Sequence, residues 1–227
     1  MIVLATETST AQGSVALIQD SQVLVLESSM QQRAHSEFVN PAIERVLQKS
    51  KLNLENVDVF ATSTGPGSFT GIRVAGNIIK SLSYSFSKPM VALDSLALLA
   101  LPARFQFKNI LTIINAYKNM VYFSVYNNGQ LLMGPAVVKV VDLDQTLAAL
   151  EGPILCLGDG YNSYEKTFST TLKNRLIRDE KFSDYPSAST LGLEAVQLAK
   201  LNKTIEWNSF VPLYLRASEA EENLRLK

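Results

Sequence analysis

Both halves of this 227-residue chain show the same predicted order of secondary structure. In the first half, apolar runs separated by short polar turns predict three strands, a helix, a fourth strand and a second helix. These elements fall at about 2–7, 14–19, 22–28, 36–50, 57–63 and 69–86. The first three strands are close enough in sequence to form an antiparallel meander. The resulting order is β-β-β-α-β-α.

The second half repeats this order without repeating the sequence. Its predicted strands lie near 110–115, 120–126 and 136–141, followed by a helix at about 142–150, a strand at about 154–157 and a helix at about 161–170. A further helix near 189–202 is expected to complete this half. We therefore predict an α/β fold of two tandem ribonuclease-H-like lobes, residues 1–104 and 105–227, with the boundary near 102–107.

Acidic and basic residues balance, with 21 of each. Because the chain has no net positive field to attract a phosphate polymer, any contact with RNA requires a partner. The opening residues lack a basic flank followed by a long apolar run, and no stretch of about 20 apolar residues occurs. We expect a cytoplasmic protein without membrane association.

Two loops of the first half are candidates for binding an anion. The first, at 7–10, offers small hydroxyl side chains and backbone amides, and the second, at 64–71, joins a buried strand to a helix. The second is no Walker A loop, because no lysine follows its last glycine, and Pro66 lacks an amide proton. A hydrogen-bonded turn and a tight crossover are the alternatives. The candidate residues are Thr8, Ser9, Gly65, Gly67 and Ser68.

The two helices of the first half predict a surface for a partner. Along the second helix apolar residues recur at spacings of three and four, and the first helix is apolar over a broad arc. Such faces pair with another molecule or are buried completely within the lobe. The predicted interface residues are His35, Phe38, Ala42, Val46, Ile72, Ala75, Ile79 and Leu82. The first helix begins either after Asn40, with Pro41 as its first residue, or at Ser36, with the proline inside it.

Residue types needed for several chemistries are missing. His35 is the single histidine, so no pair of histidines can bind a metal, and no glycine-flanked serine resembles a nucleophile elbow. The lone Cys156 lies in an apolar run and is expected to be a buried thiol. The sequence therefore predicts neither catalytic nor metal-binding residues.

Several motifs together resemble those of the TsaB/YeaZ family. They are VLATETST at 3–10, HSE at 35–37, STGPGSFTGIR at 63–73, LDSL at 93–96, GDG at 158–160 and PLYLR at 212–216. The resemblance extends from residue 2 to 216 and is most specific at 63–73. It implies a duplicated actin/hexokinase-like (ASKHA) fold.

The resemblance also implies a function. Members of the family are non-catalytic partners of TsaD, which transfers threonylcarbamoyl to a tRNA adenosine, and an ATPase, TsaE, joins them. By this resemblance the chain has no cofactor of its own and meets ATP or ADP and tRNA through the complex. The apolar seam of the two helices predicts that the chain forms homodimers when alone. TsaD carries two metal-binding histidines where this chain has Ser95 and Leu99. Alternatives are an independent ATP-binding, kinase-like enzyme and a protease using Ser36 or His35.

Two departures from the family's pattern bear on nucleotide binding. Glu7 stands where an aspartate is frequent, and Asn115-Ala116-Tyr117 replaces a frequent Asp-Ala-Arg. Both changes argue against nucleotide binding by this chain alone.

Overall fold

The computed structural model describes residues 1–30 and 35–217. The first lobe contains β1 (Ile2–Glu7), β2 (Gln12–Gln19), β3 (Gln22–Met30), α1 (His35–Ser50), β4 (Val59–Gly65), α2 (Phe69–Phe86), β5 (Met90–Asp94) and α3 (Ser95–Ala100). Its five strands are ordered β3-β2-β1-β4-β5. The central strand of the meander, β2, pairs antiparallel with both β1 and β3, whereas β4 pairs in parallel with both β1 and β5.

The second lobe repeats this arrangement. It contains β6 (Asn109–Asn115), β7 (Met120–Asn127), β8 (Gln130–Lys139), α4 (Leu143–Thr146), β9 (Ile154–Leu157), α5 (Asp159–Tyr164), α6 (Thr170–Arg175) and β10 (Leu176–Ile177). Its strand order is β10-β9-β6-β7-β8. Read from the β8 end, this order matches that of the first sheet strand for strand. This confirms two tandem ribonuclease-H-like lobes in the arrangement of actin- and hexokinase-like proteins.

Local signals fix the ends of α2. The Ser68 side chain accepts a hydrogen bond from the Gly71 amide and caps the first turn. The helix stops before Ser87, which adopts a left-handed conformation (φ 51°). The predicted limits, 69–86, are confirmed. In α1 the clean start after Asn40 is wrong, because the helix begins at His35 and contains Pro41. Pro41 lies on the exposed side of the helix.

The second half departs more from the expected elements. The strand expected at 136–141 is the longer β8, and the helix expected at 142–150 shrinks to α4 after a short 3-10 turn. The helix expected at 161–170 is divided into α5 and α6. Sequence reasoning also missed β5 and α3.

The end of the chain returns to the first lobe. A last helix, α7 (Ala188–Lys200), covers the face of the first sheet opposite α1 and α2, so the expectation that it completes the second lobe is wrong. That face presents small apolar side chains such as Ala5 and Ala16, which leave room for a helix close to the sheet. Gly192 faces Ile18, where a Cβ would lie 2.1 Å from the isoleucine Cδ1. The division at residue 104 therefore separates the two sheets but does not hold for residues 188–217.

No helix in the described ranges is both long and apolar enough to cross a membrane.

Candidate functional site

The two predicted anion loops touch each other at the ends of β1 and β4. The Ser68 amide donates to the Ser9 carbonyl oxygen at 2.6 Å, and the Thr8 hydroxyl donates to the Gly71 carbonyl oxygen at 2.7 Å. Gly67 (φ 154°) lies against the same Ser9 carbonyl oxygen, which a Cβ would approach to 2.0 Å. The fold thus brings Thr8, Ser9, Gly65, Gly67 and Ser68 into one place.

Most polar groups within these loops bond to one another, although the buried Ser9 hydroxyl has no hydrogen-bond partner among the described residues. The Ser68 amide donates to the Ser9 carbonyl oxygen, and the Ser68 hydroxyl oxygen accepts a hydrogen bond from the Gly71 amide. Thr8 and Ser9 are fully buried. The described structure therefore shows a closed crossover held by internal hydrogen bonds. Binding of ATP or ADP at a junction with another subunit stays a prediction.

A buried carboxyl group lies beneath this crossover. Glu7 is fully buried, and its Oε1 accepts hydrogen bonds from the Ser9 amide at 2.9 Å and from the Ser63 hydroxyl at 2.8 Å. Oε2 has no hydrogen-bond partner among the described residues. Burial strips the carboxylate of water and raises the pKa of Glu7 to about 7, although the bonds from Ser9 and Ser63 act in the opposite direction. Near neutral pH this group is thus partly protonated.

Ser95 and Leu99 lie one turn apart on α3 and are both buried. Asp94 caps this helix, because its Oδ1 accepts a hydrogen bond from the Ala97 amide at 2.8 Å, and burial raises the pKa of Asp94. A hydroxyl and an alkyl group thus stand at the two positions that the family resemblance matches to metal-binding histidines. No cluster of three His, Cys, Asp or Glu side chains suited to a metal occurs in the described part of the chain.

The second lobe repeats the crossover in altered form. Gly158 follows β9 and lies against the Ile113 carbonyl oxygen, which a Cβ would approach to 2.0 Å, as at Gly67 in the first lobe. At the end of β6, Asn115 accepts hydrogen bonds at its side-chain oxygen from the Tyr117 amide and the Tyr164 hydroxyl. The backbone amide of Asn115 donates to the carboxyl group of Asp159, and burial raises the pKa of that carboxyl group. Asn115 therefore has a defined structural role in this lobe.

Most of the predicted interface residues are buried inside the first lobe. The expectation that they face a partner is wrong for six residues, which are all buried: Phe38, Ala42, Val46, Ile72, Ala75 and Ile79. The side chains from α1 and that of Ile79 belong to the core between the sheet and the two helices. Leu82 is partly buried, and the side chain of His35, which begins α1, lies outside the described residues. The part of the seam formed by Ile72, Ala75 and Ile79 is the face that α2 turns toward its own lobe.

A second apolar row on α2 remains partly exposed. Val74, Ile78 and Leu82 follow one another four residues apart, and each is only partly buried against the core. We call these three residues the α2 outer stripe. Asn77 and Ser81, next to the stripe, are exposed. Val74 and Ile78 were not among the predicted interface residues, although the sequence places both off the main seam.

Comparisons with known proteins agree on one family. The family model described as "TsaD: tRNA N6-adenosine threonylcarbamoyltransferase" matches residues 27–224. The tRNA threonylcarbamoyladenosine biosynthesis protein TsaB of Haemophilus influenzae is 36% identical over 95% of this chain and 94% of its own length. TsaB of Buchnera aphidicola from Schizaphis graminum is 30% identical over 84% of this chain and 90% of its own.

A solved structure matches the fold over nearly the whole chain. It is described as an uncharacterized protein from Pseudomonas aeruginosa with similarity to peptidase YeaZ. Its TM-score is 0.81 at 26% identity, covering 95% of this chain and 99% of that one.

Proposed function

The chain belongs to the TsaB family of tRNA threonylcarbamoyladenosine biosynthesis proteins, and we propose that it is the non-catalytic subunit that binds and activates TsaD. Family membership supports a role in making threonylcarbamoyladenosine in tRNA. It favours that role over the kinase-like and protease alternatives.

The α2 outer stripe is the observation that carries the binding role. A helix that only covers its own sheet needs one apolar face, and α2 uses Ile72, Ala75 and Ile79 for that purpose. The partly exposed row of Val74, Ile78 and Leu82 is additional. Apolar rows of this kind on a protein surface mark sites of association, so we propose that TsaD docks on this side of α2.

The altered residues at the ends of the strands support a non-catalytic role. Ser95 and Leu99 offer no imidazole for the metal that the family resemblance assigns to TsaD. Glu7 is buried and already bonded to Ser9 and Ser63. We therefore assign the transfer chemistry to TsaD and a supporting role to this chain.

Further parts of the proposal follow from the same assignment. The α2 outer stripe also serves for homodimer formation when TsaD is absent, since one apolar surface can pair with a copy of itself. TsaE joins the pair, ATP or ADP binds where subunits meet, and tRNA is contacted through the complex. We also propose a cytoplasmic location, because the proposed complex acts on tRNA.

An acidic substitution in the stripe tests the proposal. Ile78→Asp should weaken binding to TsaD by at least about tenfold, because it places a charge in an apolar contact, and should lower threonylcarbamoyl transfer by the mixture accordingly. Leu201→Asp is the matched control, since Leu201 is 63% exposed at the end of α7. Sedimentation velocity measures association, and transfer to tRNA measures function. Transfer by this chain alone, or unchanged binding by Ile78→Asp, would refute the role.

A further inference from the structure

The chain ends in an extended segment that contacts both lobes. We call residues 205–216 the C-terminal strap. It begins as an addition to the first sheet, where Ile205 and Met90 exchange two backbone hydrogen bonds of 2.8 and 2.9 Å. Met90 is the first residue of the edge strand β5, so the strap starts from a fixed point on the first lobe.

From there the strap runs antiparallel to α2 and covers one side of that helix. Trp207 packs edge-on against Tyr84, with ring centroids 5.0 Å apart. About two turns earlier on the helix, Phe210 lies against Gly76, where a Cβ would be 2.6 Å from the ring. Tyr214 then meets Phe69, with centroids 4.5 Å apart. The strap thus follows α2 from its last turns to its first.

Polar contacts fasten the strap at the start of α2. The Arg73 Nε donates to the Tyr214 hydroxyl at 2.9 Å, and the same guanidinium lies 3.8 Å from the centroid of the Phe69 ring. The Leu213 amide donates to the Thr64 carbonyl oxygen at 2.8 Å, within the crossover that touches Ser9. The strap therefore holds both the first turn of α2 and the loop before it.

The last residues of the strap bind the second lobe. Arg216 donates to the carbonyl oxygens of Ala116 and Tyr117, in the hairpin between β6 and β7. Leu215 packs against the core that combines α3 of the first lobe with β6, β7 and β9 of the second. Within four residues the strap passes from Leu213, bonded to the first lobe, to Arg216, bonded to the second.

We propose that the C-terminal strap is a clamp that fixes the two lobes relative to each other and couples the 64–68 crossover to the 116–119 hairpin. Two lobes joined through a modest interface move relative to each other unless further contacts restrain them. The strap provides such contacts at the crossover of one lobe and at the hairpin of the other. It is a property of the single chain and stands independently of the proposed binding to TsaD.

Hydrogen exchange of the isolated full-length chain tests this coupling. Arg216→Ala removes bonds that lie in the second lobe, and Tyr214→Ala removes contacts that lie in the first. If the strap is a clamp, each substitution should also accelerate amide exchange in the lobe where it removes no contact. The Ser68 amide should exchange about tenfold faster in Arg216→Ala, and the Met120 amide about tenfold faster in Tyr214→Ala, the change expected from loss of one hydrogen bond to a charged donor.

The control is Val211→Ser, a change in the same segment at a side chain that is 72% exposed, which should leave both amides unchanged. If each substitution accelerates amide exchange only in the lobe where it removes contacts, the clamp is refuted. Should Tyr214→Ala accelerate exchange throughout the chain, Tyr214→Phe repeats the test, because it keeps the ring on Phe69 and loses the bond to Arg73. A local effect of Tyr214→Phe would equally overturn the proposal.

Discussion

Replacing Glu7 with glutamine should make the protein's stability less dependent on pH. The pKa of Glu7 rises from 4.5 to about 7 on folding, so the folded state binds its proton more tightly than the unfolded state. The wild-type protein is therefore favoured at low pH, and its stability falls as pH rises from 4.5 toward about 7. At about 1.4 kcal/mol per pKa unit, the full loss is on the order of 3 kcal/mol.

Glutamine keeps an oxygen that can accept the bonds from Ser9 and Ser63 but cannot ionise. Urea unfolding at several pH values measures the free energy of unfolding of both proteins. Relative to wild type, Glu7→Gln should gain roughly 2 to 3 kcal/mol between about pH 5 and pH 8.

Glu27→Gln serves as the control. Hydrogen bonds from Lys49 and Arg45 lower the pKa of Glu27, so its contribution is lost as pH falls below the ordinary carboxyl range. Its difference from wild type should be flat between about pH 5 and pH 8. If the Glu7→Gln difference is flat as well, Glu7 is ionised in the folded protein, and the reasoning from burial fails.

Three further outcomes are expected. Gly67→Ala should lower the free energy of unfolding by roughly 3 kcal/mol, because its Cβ would meet a backbone carbonyl oxygen at 2.0 Å. Gly152→Ala has open space around it and should cost about 1 kcal/mol for its positive φ, and urea unfolding of both variants compares the two losses. Ile79→Glu should lower the free energy of unfolding by more than about 4 kcal/mol, because it buries an unpaired charge, while Ile78→Glu should lower it by about 1 kcal/mol. Equal losses of stability in thermal unfolding would contradict the assigned faces of α2. Cys156 should resist a thiol reagent in the folded protein and react on unfolding, since burial raises its pKa to about 12; rapid labelling of the native chain would contradict this.

The fold was largely predictable because the order of elements occurs twice. Apolar periodicity located β1, α2 and β9 closely, since each is bounded by turn residues or caps. The strand β5 was missed because it is short and follows α2 directly. The helix α7 was found but assigned to the wrong lobe, because a helix's apolar face does not tell which sheet it covers.

The candidate site was predictable in position and wrong in part of its detail. Both loops were found because small and hydroxyl residues at strand ends form tight turns. Sequence spacing could not tell the face of α2 that packs on its own lobe from the face left outside, because both are apolar. The contacts of the C-terminal strap could not be predicted, although its PLYLR motif at 212–216 was noted. Its aromatic residues meet partners more than a hundred positions earlier, and no local pattern encodes such pairings.

The return of α7 to the first sheet has a consequence for the order of folding. The Ser14 hydroxyl accepts a hydrogen bond from the Ala188 amide across 174 residues, and one whole face of the first sheet depends on that distant helix for its cover. During synthesis the amino-terminal half leaves the ribosome with this face bare, and must wait for nearly the entire polypeptide before it can close. Nascent chains stalled before residue 188 are therefore expected to expose apolar strands and to recruit chaperones.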